Sequence, residues 1–470
     1  MMTVNQEIEI SIDTIADNGM AVGRYDGIVC FVKGAVPGDR VLAVVKKAKK
    51  NFAEARAISI LAPSPDRIDP RCRHFGVCGG CKWQDFAYPA QLKFKQQTVL
   101  DALERIGKFP AIAIDPIRGC EIPFYYRNKM EFTFSSSRWL TEEEMNAHHQ
   151  DESTVHVGLH VPQRFDKVVD IEECWLQSEL SNAILNRVRI FSRERGLPVY
   201  STETHEGYLR HLTIREGKRT GEVMINLVTN DDRPEIIRDL VRDLVESYPA
   251  ITTIVNNITS RKSMVAVGER EIVCHGPGFI TEKIGACTFR ISANSFFQTN
   301  SQQAELLYET VRTLGAFRKD DVVYDLYCGT GTIAIYLASA VSRVVGIELV
   351  ESAIADAELN AGLNGVTNAH FVQGDLKDRL TRDTEWLAGH PPPTVIVTDP
   401  PRSGMHEKVV KAMIALAPER IVYVSCNPAT QARDLRLLAD SGYELVRVSP
   451  VDMFPHTSHI EAVALLHRIG

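Results

Sequence analysis

The sequence predicts an α/β protein in three parts: a small OB-like β-barrel at the N-terminus, an α+β middle region, and a C-terminal Rossmann-like sheet. Three observations lead there. The opening sixty or so residues are short strand-like runs separated by Gly-rich turns. From about Glu121 to Ile291 strand-like and helical runs mix without regular alternation. From Ala293 onward strands and helices alternate at the spacing of parallel crossovers. A chain of 470 residues exceeds one ordinary hydrophobic core. We therefore expect domains at 1–62, 63–288 and 289–470.

Taken in order, Glu7-Ile8-Glu9-Ile10-Ser11-Ile12 alternates with period two, and the neighbouring strands are too short to stand as an open sheet, so a closed barrel is expected. LAPSPDRIDP, from Leu61 to Pro70, carries three prolines and reads as a linker. QLKFKQQTVLDALERIGKF places Leu92, Val99, Leu103 and Ile106 on one face of a helix that stops at Gly107. KMEFTFSS, TVHVGLHV, EVMINLVT and ITTIVNNIT read as strands, and EIIRDLVRDLVES as a helix. WLTEEEMNAHHQDES is polar and acidic, so it is expected to be an exposed insertion with His148 and His149 facing solvent. In the last part DVVYDLYCGTGTIAIYLA predicts strand, turn and helix, followed by strands at RVVGIEL, NAHFVQGD, TVIVTDPP, RIVYVSCNP, YELVRVSP and EAVALLHRI.

Composition excludes little: 44% hydrophobic and 24% charged residues are ordinary for a soluble protein, and a net charge of −7 argues against a uniformly basic surface. Locally, six Lys/Arg residues between Arg40 and Arg56 face only Glu54, which is either a solvated strand or a phosphate-contacting surface. No apolar run reaches the length of a membrane span, and MMTVNQEIEI lacks the basic-then-apolar pattern of a signal segment. A cytoplasmic protein without membrane contact is expected, and no obligate protein partner is evident. Ten cysteines are present, three of them between Cys72 and Cys81; in a reducing compartment such clustering favours metal ligation or catalysis over disulfides.

Chemistry concentrates in the last part. DLYCGTGTIA puts Gly329 and Gly331 in a turn entering a helix, where the backbone can approach a ligand and free amides can receive an electronegative group. Glu348 ends the next strand, where a carboxylate can accept from ribose hydroxyls. Ala334 stands where a dinucleotide fingerprint would have its third glycine. Asp399 ends a strand ahead of two prolines that stiffen the loop, and Cys426 ends the following strand ahead of Asn427-Pro428. Glu461 interrupts the final apolar run, where a carboxylate is costly unless it is solvated or used.

The C-G-T-G form with its downstream acids resembles the doubly wound S-adenosylmethionine-dependent methyltransferases, in which an acid at the position of Asp375 contacts adenine. FFQTN (Phe296 to Asn300), DLYCGTGT, DPPRSG, SCNPAT and HIEAVALL, in this order, resemble the RNA uracil-5-methyltransferases, specifically the iron–sulfur kind acting on 23S rRNA. The resemblance implies a TRAM RNA-binding barrel at the N-terminus and packing of residues 91–118 with the catalytic domain. It also implies Cys426 as nucleophile, Glu461 as the base for the C5 proton, and a methyl-donor site drawn from Gln298, Tyr327, Gly329, Gly331, Glu348, Asp375 and Asp399. RCRHFGVCGGCKWQ is similar to the family's cluster motif, with Cys72, Cys78 and Cys81 spaced C-x5-C-x2-C and Cys174 matching the fourth ligand. Four thiolates suit iron–sulfur or zinc by spacing alone, and the resemblance favours [4Fe–4S]. The implied substrate is 23S rRNA, with the T-loop uridine of tRNA as alternative and a non-catalytic RNA-binding or assembly role as the different-class alternative. Phe52 and Trp83 are candidates for stacking on bases, with packing as the other reading.

Overall fold

The computed structural model describes residues 2–16, 19–140, 145, 153–161, 167–262, 268–381 and 389–469. The centre of the polar stretch after Trp139, with His148 and His149, lies outside the described residues.

Five strands, β1 (Glu7–Ile15), β2 (Ala21–Tyr25), β3 (Ile28–Lys33), β4 (Arg40–Ala48) and β5 (Phe52–Ala62), close into a barrel in the order β1-β2-β3-β5-β4. The period-two alternation sends Ile8, Ile10 and Ile12 into the barrel core, each no more than 3% exposed, and their neighbours Glu7, Glu9 and Ser11 outward. Closure removes the exposed strand edges that such short strands would otherwise leave. Gly23 is required at the β1–β2 crossing, because a Cβ there would lie 2.1 Å from the Ser11 carbonyl oxygen. Trp83 is 4% exposed and donates its indole N–H to the Gly19 carbonyl at 3.2 Å, so it packs the barrel against the next segment and offers no face to a base.

The middle sheet combines β6 (Lys129–Ser135), β7 (His156–His160), β8 (Val168–Asp170), β9 (Leu209–Glu216), β10 (Val223–Thr229), β11 (Ile251–Ile258) and β12 (Arg270–His275), in the order β12-β11-β10-β9-β6-β7-β8. Helices Glu179–Glu194 and Pro234–Ser247 cover it with Ile184, Leu185, Val188, Leu240 and Leu244, all buried. A hairpin of β13 (Phe279–Ile284) and β14 (Cys287–Ser292) leads into the last part.

There β15 (Val322–Leu326), β16 (Arg343–Glu348), β17 (Ala369–Gln373), β18 (Val395–Thr398), β19 (Arg420–Ser425), β20 (Tyr443–Val451) and β21 (Glu461–Arg468) form one sheet in the order β17-β16-β15-β18-β19-β21-β20. The pairings are parallel from β17 to β19, and β21 runs antiparallel to both β19 and β20. The order reverses at β15, between β16 and β18, which opens a crevice at the C-terminal ends of these strands.

An early segment completes this unit. Val99, Ala102 and Leu103 of the helix Tyr88–Arg105 are buried among Tyr324, Leu326, Ile421 and Leu435. Residues Ile114 and Arg118 make bridges to Val448 and Val451 of β20. Fully burying side chains such as Val99 and Leu103 stabilises by roughly 1.5–3 kcal/mol each. The same helix carries Lys95, whose ammonium meets Asp452 at 2.6 Å with both side chains wholly buried. Tyr88 donates to the other Asp452 oxygen at 2.8 Å. Removing one member of such a buried pair strands the other charge, at a cost of roughly 3–5 kcal/mol. No helix among the described residues is long and apolar enough to cross a membrane.

Candidate active site

Two antiparallel strands bring the predicted nucleophile and base together. Ser425 of β19 and Ala462 of β21 are the last pair of their ladder, so Cys426 and Glu461 follow it on either side, near enough for the Glu461 charge to act on the thiol. Cys426 is half-buried at the edge of the sheet, and Glu461 is 5% exposed. Asn427 caps the helix Pro428–Ala439 by accepting from the Ala429 amide at 3.1 Å, and Pro428 occupies the first turn, where its missing N–H costs nothing. The thiol therefore sits just ahead of a helix N-terminus.

The loop after β18 is tied to the same place. Asn427 Nδ2 and Thr430 Oγ1 both donate to the Arg402 carbonyl, at 3.0 and 3.3 Å. This holds the Arg402 guanidinium near the thiol, with Nη2 at 3.3 Å from the His459 ring nitrogens. Parallel pairing of Thr398 with Tyr423 and of Leu326 with Thr398 aligns the ends of β15, β18 and β19. Asp325, Asp399, Cys426 and Glu461 thus share one edge.

The electrostatics of this edge are distinctive. Burial, and then the charges of Glu461 and Asp399, push the Cys426 thiol up to about 11, while Arg402 pulls it back. Burial pushes Asp399 up to about 7, and burial with the Asp399 charge pushes Asp325 up to about 8. Burial and Asp399 raise Glu461 well above the usual carboxylate range. Both carboxylate oxygens of Asp325 are buried, and among the described residues neither meets a side-chain donor, while the Ala334 backbone N–H eases its charge. Acids pressed together in this way resist ionisation, and a positively charged ligand between them would relieve the repulsion.

The remaining predicted donor-site residues surround the start of the crossover. Gly329 and Gly331 have φ of +53° and +74°, and Tyr327 between them and β15 has +63°. A Cβ on Gly329 would meet nothing within 4 Å, whereas one on Gly331 would press on the Phe371 ring at 2.8 Å. Space therefore opens beside Gly329, while Gly331 serves close packing. Glu348 accepts from the amides of Gly329, Leu349 and Val350 at 3.1, 2.8 and 3.0 Å. A carboxylate has about four acceptor positions, so roughly one remains for a hydroxyl. Asp375 caps a short helix by accepting from the Lys377 amide at 2.9 Å. Gln298 is half-buried, and its carbonyl accepts from Asn128 Nδ2 at 2.8 Å, joining FFQTN to the middle sheet.

Two residues of this site escaped the sequence reading, although both lie inside motifs singled out there. Asp325 opens DLYCGTGT, and its signal is a carboxylate at the end of an apolar strand. Arg402 follows the two prolines of DPPRSG; proximity to the thiol depends on loop stitching that no local pattern encodes.

The four predicted ligand cysteines come together elsewhere. Cys72, Cys78, Cys81 and Cys174 line one cavity of about 200 Å³ with Gln84, Arg127 and Trp175. Gly80 N–H points at Cys78 Sγ at 3.4 Å, and Gln84 Nε2 at Cys81 Sγ at 3.3 Å. Burial pushes Cys78 and Cys81 up to about 12. Among the described residues no three His, Cys, Asp or Glu side chains converge closely enough for a single metal ion. The thiols surround a volume rather than a point.

The cavity is tied through backbone to the loop ahead of β21. Lys82 N–H and Trp83 N–H, next to Cys81, both donate to the His456 carbonyl at 2.8 and 3.1 Å. Gln91 accepts from the His456 amide at 3.0 Å.

Comparison with known proteins agrees with this layout. The family model for tRNA (uracil-5-)-methyltransferases matches residues 279–469, and that for the TRAM domain matches residues 2–58. An RNA methyltransferase of Chlorobaculum tepidum, itself uncharacterized, is 46% identical over 98% of this chain and 96% of its own length. One from Porphyromonas gingivalis is also 46% identical, covering 98% of this chain and 99% of its own. Among solved structures, the Pyrococcus abyssi tRNA (uracil-54, C5)-methyltransferase in complex with S-adenosyl-L-homocysteine is 30% identical, with a TM-score of 0.74 over 98% of this chain and 100% of that one.

Proposed function

The chain belongs to the tRNA (uracil-5-)-methyltransferase family of RNA methyltransferases, and on that premise we propose that it transfers a methyl group from S-adenosylmethionine to C5 of a uridine in 23S rRNA. The observation that carries the reading is the placing of Cys426 and Glu461 just past the last pair of β19 and β21, at an edge crowded with carboxylates. S-adenosylmethionine supplies an electrophilic methyl group on a positively charged sulfur. Asp325, whose buried oxygens meet no side-chain donor among the described residues, fits the cationic part of such a donor, and the open space beside Gly329 with the remaining acceptor of Glu348 fits its nucleoside. Tyr327, Asp375, Gln298 and Asp399 complete the proposed pocket.

The chain's own groups then divide the work. Cys426, ionised with help from Arg402 and the adjacent helix N-terminus, adds to uracil C6 and turns C5 into an enolate carbon. That carbon takes the methyl group. Glu461, facing the thiol, removes the C5 proton, and the electron pair left behind restores the C5–C6 double bond as the Cys426 sulfur departs. A uridine within folded RNA must leave its stack to reach this edge.

The cysteine cavity fits an iron–sulfur cluster better than a zinc ion. Four thiols line one cavity of about 200 Å³, room for a multi-atom group, and two N–H donors already point at sulfur. Cys72, Cys78, Cys81 and Cys174 would hold a [4Fe–4S] cluster, and nothing in the proposed methyl transfer consumes an electron.

A second RNA target is favoured by one observation: the whole-length likeness to a tRNA enzyme. Transfer of labelled methyl groups to undermodified 23S rRNA and tRNA, followed by nuclease mapping, decides between them. Label at a 23S uridine C5 supports the main reading; label in tRNA alone keeps the chemistry and moves the target. Label in neither defeats the reading.

A further inference from the structure

Beside the cysteine cavity, four side chains make an assembly that the chemistry above does not use. The Arg71 guanidinium carbon lies 3.6 Å from the Trp175 ring centroid, 5.4 Å from that of Phe124 and 5.6 Å from that of Tyr125. Tyr125 and Trp175 stand 5.7 Å apart between centroids, and an Arg71 nitrogen donates to the Tyr125 hydroxyl at 3.4 Å. The three rings are half-buried and Arg71 is exposed. At 3.6 Å the guanidinium caps Trp175 directly, so its solvent side extends the aromatic cluster as a flat cationic surface.

The backbone that presents this surface is constrained. Tyr125 has φ of +56°, a left-handed conformation that a bulky side chain adopts only at a cost. It is held there by two backbone bonds, from the Tyr125 amide to the Trp175 carbonyl and from the Arg127 amide to the Leu176 carbonyl, each 2.8 Å. The strain puts the Tyr125 ring beside Trp175. The other side of the cluster reaches the catalytic loop: Phe124 packs on His456 with centroids 4.4 Å apart, and Tyr126 donates to the Pro455 carbonyl at 3.2 Å. His456 lies five residues before Glu461 in the chain.

We propose that Arg71, Trp175, Tyr125 and Phe124 form a stacking platform for an unpaired RNA base next to the target uridine. Bases stack on aromatic rings and on arginine planes with little sequence preference, and a strand delivering a flipped uridine to Cys426 exposes unstacked neighbours. The platform is continuous with the catalytic loop, and its positive charge suits a polyanion. Arg71 immediately precedes Cys72 and Trp175 immediately follows Cys174. The loops that line the cysteine cavity therefore also carry both halves of the stacked pair, which gives that cavity a role in building an RNA surface.

The inference rests on the methyltransferase reading for the identity of the RNA strand, and the test separates the two. Affinity is measured for a short single-stranded RNA and for a blunt RNA duplex of the same length, using the full-length, metal-loaded protein. Arg71→Lys keeps the charge and removes the flat face. Tyr125→Gly removes a ring while relieving the left-handed backbone, so it does not threaten folding. Each should weaken single-strand binding about tenfold, change duplex binding less than about twofold, and raise KM for RNA at unchanged kcat. Single-strand affinities within about twofold of wild type, or equal losses on both RNAs, overturn the platform. Methyl transfer by the wild type is scored separately. A wild type that transfers no methyl while both variants lose single-strand affinity defeats the methyltransferase reading and leaves the platform standing.

Discussion

Two groups of buried thiols in this protein have much the same acidity and opposite surroundings. Cys426 is pushed up to about 11 and Cys78 and Cys81 to about 12, in each case chiefly by burial. Around Cys426 stand two carboxylates and a guanidinium, at a sheet edge that opens to a crevice. Around the four cavity thiols stand other thiols and N–H donors. A raised thiol is therefore no guide to role by itself; the charges that can change its ionisation are. On the proposed reading, the one thiol among acids and a guanidinium serves covalent catalysis, and the four thiols around a cavity would hold metal.

The sharpest break in that comparison comes from deleting one sulfur on each side. Cys426→Ala should abolish methyl transfer, a loss of about 10⁴-fold or more for removal of a nucleophile, while RNA binding stays intact. RNA carrying 5-fluorouridine at the target should form a covalent, methylated adduct with wild type, since fluorine cannot leave as a proton. The same adduct appearing with Cys426→Ala would remove Cys426 from the nucleophile's place. Glu461→Gln should slow turnover by about 10²–10⁴-fold and accumulate the adduct on ordinary RNA, because adduct formation precedes the step it serves. If single-turnover experiments show no adduct with that variant, Glu461 acts before C–C bond formation.

On the other side, Cys78→Ser should lower bound iron and visible absorbance and raise KM for RNA by about tenfold, with a smaller change in kcat. Removing the metal with a chelator from wild type should reproduce the shift. A variant with unaltered iron content would take Cys78 out of the ligand set.

Much of this contrast was legible in the sequence, and the reason differs by region. The barrel follows from Ile8, Ile10 and Ile12, because strand period two writes directly into burial. Strand–helix alternation announced a mostly parallel sheet, whereas the antiparallel insertion of β21 between β19 and β20 has no local signal. Cys426 stood out because a thiol at a strand end before Asn-Pro is unusual, and Glu461 because a carboxylate starts an apolar strand. Arg402 was not legible: its position depends on hydrogen bonds from Asn427 and Thr430, some 25 residues away, to its own carbonyl. Neither was the catalytic loop's support by Lys95, which meets Asp452 across 357 residues of chain. Trp83 as a stacking candidate fails for the same reason, being buried by a barrel loop that only the assembled fold brings near.

A gentler test isolates the carboxylates that distinguish the two regions. Asp325 has its ordinary acidity near 3.8 when unfolded and about 8 in the folded protein. The native state therefore keeps a proton that the unfolded state has lost. Its contribution to stability is full below about pH 4 and disappears as pH rises toward 8. Asp325→Asn removes this penalty, so the variant without ligand should gain stability over wild type steadily as pH rises from 4 to 8, and equal it near pH 4. The same change should weaken donor binding about tenfold or more, because an amide cannot neutralise a cation. Thermal melts across pH and calorimetric titration with S-adenosylhomocysteine and S-adenosylmethionine measure both halves. Higher stability with undiminished affinity for the cationic donor would move the cation's partner elsewhere on the edge.

The smallest effect belongs to the β4–β5 turn of the barrel. Of the six basic residues between Arg40 and Arg56, Arg40 pairs with Glu9 at 3.0 Å and Lys47 with Glu54 at 2.7 Å, both exposed. Exposed pairs of this kind stabilise by roughly 0–1 kcal/mol, so neither can be counted as lost to RNA. Lys49 and Lys50 are exposed at the β4–β5 turn, where nothing in the barrel core constrains them. If they touch phosphates, replacing both with Gln should lower the dependence of log affinity on log salt by about two charge equivalents or fewer, with a few-fold loss of affinity at moderate salt. Single-strand and duplex RNA should respond alike, because phosphate contacts carry no information about base stacking. That equal response is the opposite of what Arg71→Lys should give, so the pair of variants separates positioning by charge from positioning by stacking. An unchanged salt slope would return these lysines to the status of a solvated turn.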